Sequence, residues 1–344
     1  MKVNTIAIDL AKNVFQILGV DKHGKQLFSK RLSRTQFHSF MIQQPPCTVV
    51  MEACLASHYW GRCFMAVGHD VKLIPAQHVT PFVRGNKNDK NDCMAIYEAS
   101  RRPNIRFVPV KTEHQQSILA LHRQRERLVT ARTAAVNQIR ALLLEFGVSI
   151  PGHYKTLRHE LYQQLDNQTL TPVFRLMLND VIDELTALDS RLKRIEQVIK
   201  QFNDQTPAAQ ILLSMPGIGL INASAFSASI DRGQAFNSAD EFAIWLGLTP
   251  KQKASGNINR LGSITKRGDC YLRKQLIHGA RTVVSHAHKK QDDLSRWVTA
   301  VKDRRGQNKA VVATARRLAR LMWILLQKNT VYMPQFVQGG ANEH

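Results

Sequence analysis

Two aspartates three residues apart, Asp89 and Asp92, precede a short apolar stretch at residues 94–97. If a helix begins here, both carboxylates lie on one face of its first turn, at the electropositive end. Like charges held so close repel each other unless a cation lies between them, and hard divalent cations such as Mg²⁺ bind carboxylate oxygens. Such a pair is also typical of a solvated helix start, so its interpretation depends on acids elsewhere in the chain.

Two further carboxylates, Asp9 and Glu52, each end an apolar stretch that is typical of a buried strand. Open α/β sheets place their sites at the carboxyl ends of strands. Acids at two strand ends and one helix start indicate a two-metal site for phosphoryl transfer. We therefore predict Mg²⁺, as two ions, and a set of catalytic, metal-binding residues: Asp9, Glu52, Asp89 and Asp92.

The elements around these acids predict an RNase-H-like α/β domain. Strands at 3–9, 14–20 and 25–33 are separated by short turns and form a β-meander. Helices and strands then alternate, at residues 34–43, 48–52, 58–67, 70–74 and from 89 onward. The meander supplies the strand of Asp9, and the alternating part supplies the other three acids.

The charge of the chain predicts a polyanionic partner. The formal net charge is +22, and residues 251–328 hold 19 Lys and Arg against 4 Asp and Glu. Such an excess is typical of nucleic-acid binding, because each phosphate contact releases condensed counterions. We find no run of about eighteen apolar residues and no secretory signal, so we expect no membrane contact and a cytoplasmic location. The five cysteines lack zinc spacing and predict neither disulfides nor structural zinc.

From about residue 111 the pattern becomes helical. In its second part, apolar residues alternate steps of three and four, which is a heptad seam. The seam consists of Leu178, Val181, Leu185, Leu188, Leu192, Ile195, Ile199 and Phe202. We predict a coiled coil that pairs with the 118–146 helix, with a second copy of the chain, or with both. A dimer is then the minimum assembly.

Two stretches in the C-terminal part predict contact with nucleic acid. Residues 214–219, Ser-Met-Pro-Gly-Ile-Gly, are typical of a helix-hairpin-helix turn, whose glycines bring backbone N–H groups close to a phosphate. Residues 251–262 predict a polar loop in which Ser255 lies among basic side chains. The predicted nucleic-acid contacts are Gly217, Gly219, Lys251, Lys253, Arg260, Lys266, Arg267 and Arg273.

Taken together, these motifs resemble the DEDD transposases of bacterial insertion sequences, a group that includes the Piv-type invertases. The N-terminal resemblance is carried by residues 7–12, 51–53 and 87–92, which hold the four acids. The C-terminal resemblance is carried by residues 214–219, 242–250 and 254–273. It runs from about residue 3 to residue 325, with the motifs in the same order.

The resemblance implies a RuvC-like metal domain, a coiled-coil dimerisation region and a C-terminal transposase domain that supplies a serine nucleophile. That serine corresponds to Ser255, although Ser263 and Thr265 lie in the same stretch and the sequence does not distinguish them. The serine is expected to form a covalent phosphoserine–DNA intermediate, with metal-bound carboxylates activating serine and phosphate. The resemblance also implies a structured guide RNA, encoded beside the gene, that pairs with donor and target DNA.

We therefore predict domains at 1–110, 111–205 and 206–335, with a tail at 336–344. Strand exchange between two DNA duplexes favours a tetramer, and the bacterial family implies association with the nucleoid. Two positions depart from the family pattern: Cys93 replaces the usual alanine, and Leu55 stands where a small residue is more usual.

Three other functions compete with an RNA-guided, Mg²⁺-dependent transposase. A junction-resolving nuclease of the same fold would use water and leave no protein–DNA adduct. An actin-like ATPase would need glycine-rich phosphate loops, which the residues after Asp9 lack. A non-catalytic nucleic-acid-binding protein would keep all of its activity in Asp9→Ala, because binding would be its only activity.

Overall fold

The computed structural model describes residues 2–83, 89–150, 152, 154–255 and 258–334, with only the backbone of 155, 253–255, 258 and 259. Lys87, Asn88, Gly256 and the predicted tail lie outside these residues, as do the side chains of Lys253 and Ser255. The chain divides into two compact units, Met1–Gln116 and Ser117–His344. The finer division into three domains remains a prediction.

The first unit is built on a five-stranded sheet with the order β3-β2-β1-β4-β5. The first three strands form the predicted antiparallel meander, and β1, β4 and β5 run parallel. The strands are β1 Thr5–Asp9, β2 Val14–Val20, β3 Gln26–Ser33, β4 Thr48–Glu52 and β5 Asp70–Ile74. The helices are α1 Arg34–Ile42, α2 Ser57–Ala66, α3 Ala76–Val79 and α4 Asp89–Ser100.

Alternation along β1 sends its side chains to two separate cores. Ile6 and Ile8 pack with Phe37 of α1 and Trp60 of α2 on one face of the sheet. Ala7 packs on the other face, against α4. Because a strand has a period of two, apolar residues at consecutive positions require cover on both faces, and the helices provide it. The predicted mixed α/β architecture is confirmed for this unit.

The second unit is mainly helical. Its helices are α5 Glu113–Leu144 (which begins just before the division), α6 Tyr154–Gln164, α7 Pro172–Gln205, α8 Pro207–Leu213, α9 Leu220–Ile230, α10 Ala239–Trp245, α11 Cys270–His286, α12 Asp293–Arg305 and α13 Gln307–Lys328. The starts follow from local chemistry: Thr171 caps α7 ahead of a proline, and Asp269 accepts the Leu272 N–H at the start of α11. None of these described helices is long and apolar enough to span a membrane.

The heptad seam of α7 packs against α5 of the same chain. Leu188, Leu192, Ile195 and Ile199 form one apolar cluster with Leu128. Salt bridges Arg125–Glu196 and Arg132–Asp189 flank the seam and fix an antiparallel alignment. One seam position differs from the prediction, because Ile182 is buried while Val181 is only half-buried. The intrachain pairing is therefore observed, and pairing across a dimer remains a prediction.

The stretch predicted as a loop at 251–262 is instead a β-hairpin. Strands β6 Pro250–Ser255 and β7 Ile258–Ile264 pair antiparallel, with Gln252 opposite Leu261. These strands consist mainly of polar residues, so they lack the alternation of apolar and polar residues from which strands are predicted. The loop prediction is wrong because cross-strand hydrogen bonds hold a segment that has little apolar surface to bury.

Candidate active site

Asp9 and Glu52 lie side by side at one edge of the sheet. Strands β1 and β4 are parallel neighbours, and Ile8 lies opposite Met51. The next residue in each strand is a carboxylate, so both acids emerge at the carboxyl ends of adjacent strands. Both side chains are half-buried. This is the placement that the sequence predicts for a site in an open α/β sheet.

Asp89 and Asp92 lie in the first turn of α4, which packs across the same sheet. The buried Cys93 thiol anchors the helix start, because it donates a hydrogen bond to the Gln16 carbonyl at 3.1 Å. Gln16 is the direct β-partner of Asp9. The Cys93 anchor therefore brings the start of α4 to the β2 residue that lies opposite Asp9.

The negative charges of these acids affect the pKa values of two nearby thiols, Cys93 and Cys54. Burial raises the pKa of Cys93, and the negative charges of Asp9, Asp92 and Asp89 raise it further. Burial also raises the pKa of Cys54 to about 11, with smaller contributions from Glu52 and Asp9. Because the effect of a charge falls with distance, the three aspartates lie near Cys93, and Glu52 and Asp9 lie near Cys54.

The donor set fits a hard divalent cation in its chemistry. All four side chains offer carboxylate oxygens, which suit Mg²⁺, and none offers the sulfur or imidazole ligands that softer metals prefer. Within the described residues, however, no three His, Cys, Asp or Glu side chains converge closely enough to hold an ion.

Ser255 and the two alternative nucleophiles, Ser263 and Thr265, lie at different ends of the hairpin. Ser255 is the last residue of β6, opposite Ile258 at the tip. Ser263 stands at the base, next to Ile264, which lies opposite Pro250. The Thr265 N–H donates to the Thr249 carbonyl at 2.8 Å, also at the base. The described backbone therefore places Ser255 at the tip of the hairpin and places Ser263 and Thr265 at its base.

The basic residues of this region fall into two groups. The side chains of Lys251, Arg260, Lys266 and Arg267 are exposed on or beside the hairpin. Arg273 is half-buried, and its guanidinium donates to the carbonyls of Leu246 and Gly268 at 3.2 and 3.4 Å. The first group is available to a phosphate backbone, whereas Arg273 has a structural role that the sequence analysis did not identify.

A close backbone crossing fixes the base of the hairpin. A Cβ on Gly247 would lie 2.1 Å from the Arg267 carbonyl oxygen, and one on Gly268 would lie 2.0 Å from the Trp245 oxygen. Both glycines have positive φ. Only glycine fits such an approach. Together with Arg273, which bonds to both segments, this crossing forms what we call the hairpin clasp.

The turn between α8 and α9 was predicted as a phosphate contact, and its two glycines differ. Gly217 has φ +78°, and a Cβ there would lie 2.6 Å from the Gly279 carbonyl oxygen of α11. Gly219 is exposed at the start of α9, with nothing within 4 Å of such a Cβ. Packing therefore accounts for Gly217 within the chain, and Gly219 is the one that faces open space.

The sequence analysis also missed a buried polar network in the second unit. His122 of α5 is 1% exposed, with Nδ1 2.9 Å from the Tyr271 hydroxyl and Nε2 2.9 Å from the Ser224 hydroxyl. Ser224 donates to the Leu220 carbonyl, so its oxygen accepts from Nε2–H and leaves Nδ1 to accept from Tyr271. The network ties α5 to α9 and to the start of α11.

The structure thus brings the four predicted acids to one edge of the first unit, and it places Ser255 and the basic group in the second unit. Two family models match these regions separately. A DEDD transposase model for IS110 elements matches residues 6–148. A model described as the transposase IS116/IS110/IS902 family matches residues 209–295.

Relatives that match the chain over nearly its whole length are also transposases. The chain is 43% identical over 337 residues to a probable family 20 transposase of Pseudomonas aeruginosa, covering 97% of this chain and 100% of that protein. It is 39% identical to the transposase for insertion sequence element IS1111A of Coxiella burnetii, covering 96% and 91%. It is 38% identical to the transposase for IS1328 of Yersinia enterocolitica, covering 96% and 98%. The chain therefore belongs to the IS116/IS110/IS902 family of transposases.

Proposed function

We propose that this transposase cuts and rejoins DNA strands at a RuvC-like, Mg²⁺-dependent site formed by Asp9, Glu52, Asp89 and Asp92, with Ser255 as the nucleophile. One observation carries the proposal. Asp9 and Glu52 end adjacent parallel strands, and the first turn of α4, which carries Asp89 and Asp92, is held beside Asp9 by the Cys93–Gln16 hydrogen bond. Carboxylates are the ligands that a hard divalent cation such as Mg²⁺ takes, and phosphoryl transfer uses such ions.

The chemistry is an exchange of phosphate esters. The Ser255 oxygen attacks phosphorus and forms a P–O bond as the bond to the leaving sugar oxygen breaks. The serine proton is lost and the leaving oxygen gains one. A sugar hydroxyl of the second strand then attacks the phosphoserine and frees the serine. Each step forms one ester and breaks one, so no external energy source is required. Mg²⁺ held by the carboxylates would stabilise charge on the attacking and leaving oxygens.

The proposed substrate contacts follow from charge and exposure. Lys251, Arg260, Lys266 and Arg267 present positive charge on or beside the hairpin that carries Ser255. Gly219 offers the N–H groups at the start of α9 to a phosphate. The family resemblance adds a guide RNA that pairs with donor and target DNA, and an assembly of at least two chains. The net charge of +22 supports a protein that holds both nucleic acids.

A metal nuclease without a serine nucleophile is the second candidate. The observation in its favour is that all four acids belong to the first unit, and the DEDD model that covers them, at residues 6–148, ends before Ser255. In that mechanism water attacks the phosphate, and the second unit only binds nucleic acid. It predicts cut ends and no covalent adduct.

The test of the carboxylate site is a strand-exchange assay with labelled donor and target DNA, Mg²⁺ and RNA transcribed from the flanking DNA. We expect Asp9→Asn and Glu52→Gln to abolish cleavage while DNA binding persists. Asp70→Asn is the matched control, because Asp70 begins β5 at the opposite end of the sheet, where its exposed carboxylate lies 3.4 Å from the Lys72 ammonium. Cleavage that survives in Asp9→Asn would overturn the site.

A further inference from the structure

The turn between β4 and α2 presents an apolar side chain to solvent. Leu55 is 89% exposed, more than Val173 at 78% or Leu261 at 70%. Single exposed apolar residues are common on protein surfaces, so exposure alone has no meaning. Leu55 differs because its turn is rigid and because it adjoins the end of the sheet that carries Asp9 and Glu52, which we call the carboxylate edge.

Hydrogen bonds and one strained residue fix this turn. The Cys54 N–H donates to the Glu52 carbonyl at 2.9 Å, and the buried Ser57 hydroxyl donates to the Cys54 carbonyl at 2.8 Å. Ala56 has φ +68°, a left-handed conformation that is strained for a residue with a Cβ. Such strain persists only where the surroundings enforce it. Leu55 therefore points outward because the turn holds it there.

The turn begins at one site acid and lies beside a second. Leu55 is the third residue after Glu52, and the neighbouring parallel strand β1 ends at Asp9. A phosphate bound at the carboxylate edge would thus have Leu55 as a close neighbour. Nucleic acids offer apolar contact through base faces, which become accessible when a base step is opened.

We propose that Leu55 is a wedge that packs against the base next to the cut phosphate and unstacks it; this rests on the proposed carboxylate site. Opening a base step bends the strand and exposes its phosphate to attack, at the expense of stacking. A rigid leucine offsets that loss with apolar contact. Because pyrimidine–purine steps open most readily, the wedge also favours cleavage beside such steps.

The first test places 2-aminopurine, whose fluorescence rises on unstacking, beside the mapped cleavage position. The full-length protein with its flanking RNA is used in an Asp9→Asn background, so that the DNA stays uncut. We expect a fluorescence rise on binding that is lost in Leu55→Ala and kept in Leu55→Met. Leu176→Ala, at an α7 residue that is 68% exposed, is the matched control and keeps the rise. An equal rise with Leu55→Ala overturns the proposal.

The second test asks whether opening the step in advance replaces the side chain. With Asp9 intact, Leu55→Ala should cleave stacked DNA about tenfold more slowly than wild type, with an unchanged melting temperature. An abasic site beside the cut phosphate should restore its rate. Equal rates on stacked DNA, or no rescue, overturn the wedge. If Asp9→Asn itself cleaves, the carboxylate site fails instead, so the two failures are distinguishable.

Discussion

Acid should destabilise the second unit through one buried histidine, His122. Burial lowers its pKa to about 4 from 6.5, and the charge of Arg125 contributes further. In the unfolded chain the same imidazole titrates near its ordinary pKa. Above both values neither state holds the proton, and the neutral ring keeps its bonds to Tyr271 and Ser224. As the pH falls below 6.5, the unfolded chain binds a proton that the folded chain refuses, so stability falls.

The size of this loss follows from the separation of the two pKa values. Each pH unit between them corresponds to about 1.4 kcal/mol once the unfolded imidazole is protonated. From about pH 7.5 to about pH 5, His122 should therefore lower the free energy of unfolding by about 2 kcal/mol, reaching about 3 kcal/mol near pH 4. Most carboxylates titrate below about pH 5, so the interval from about pH 7.5 to about pH 5 largely avoids their contribution.

Urea unfolding at the two pH values, followed by far-ultraviolet circular dichroism, measures the effect, because helices dominate the second unit. His122→Gln can retain both hydrogen bonds and cannot titrate, so its loss on acidification should be about 2 kcal/mol smaller than that of wild type. His278→Gln, at an exposed position on α11, should behave like wild type. If His122→Gln loses as much stability as wild type, the buried neutral histidine is not the cause.

Three further predictions concern the hairpin clasp, the α8–α9 turn and the metal. Arg273→Lys keeps the charge but loses the guanidinium group that bonds to two carbonyls. Amide hydrogen exchange across the hairpin should therefore become faster, while the salt dependence of DNA binding stays unchanged. Unchanged exchange with a weaker salt dependence would instead assign Arg273 to phosphate binding. Gly217→Ala should lose roughly 2 to 4 kcal/mol in urea unfolding, because its Cβ meets the Gly279 oxygen, whereas Gly219→Ala should fold normally. Mg²⁺ at about 100 times its Kd should stabilise wild type by about 2.7 kcal/mol and Asp9→Asn by much less; equal stabilisation would place the ion elsewhere.

The sequence predicted the elements that carry the four acids, because each signal is local. A carboxylate at the end of an apolar run predicts a strand end, as for Asp9 and Glu52, and the register of β1 with β4 then makes the two neighbours. The Asp89–Asp92 spacing predicts a helix start, and α4 begins at Asp89. The apolar seam of α7 could be predicted for the same reason, because the heptad spacing lies within a single helix.

Contacts between distant residues could not be predicted in this way. His122 and Tyr271 are joined by a hydrogen bond across 149 positions, and no local pattern marks either residue. The hairpin clasp depends on two glycines brought together by folding. The hairpin itself had one signal, the Gly-Asn pair at 256–257, which is typical of a two-residue hairpin connection but stands among polar residues. Leu55 was noticed as a departure, and only the structure gives its exposure and its fixed turn.

Covalent trapping tests the central claim most directly. Wild type, Ser255→Ala, Ser263→Ala and Asp92→Asn are each mixed with flanking RNA, labelled donor and target DNA and Mg²⁺, then resolved on a denaturing gel. The proposed mechanism predicts a protein–DNA adduct in wild type and Ser263→Ala that is absent from Ser255→Ala and Asp92→Asn. Cleaved DNA without an adduct, formed equally by Ser255→Ala, would contradict the serine mechanism and leave a metal nuclease.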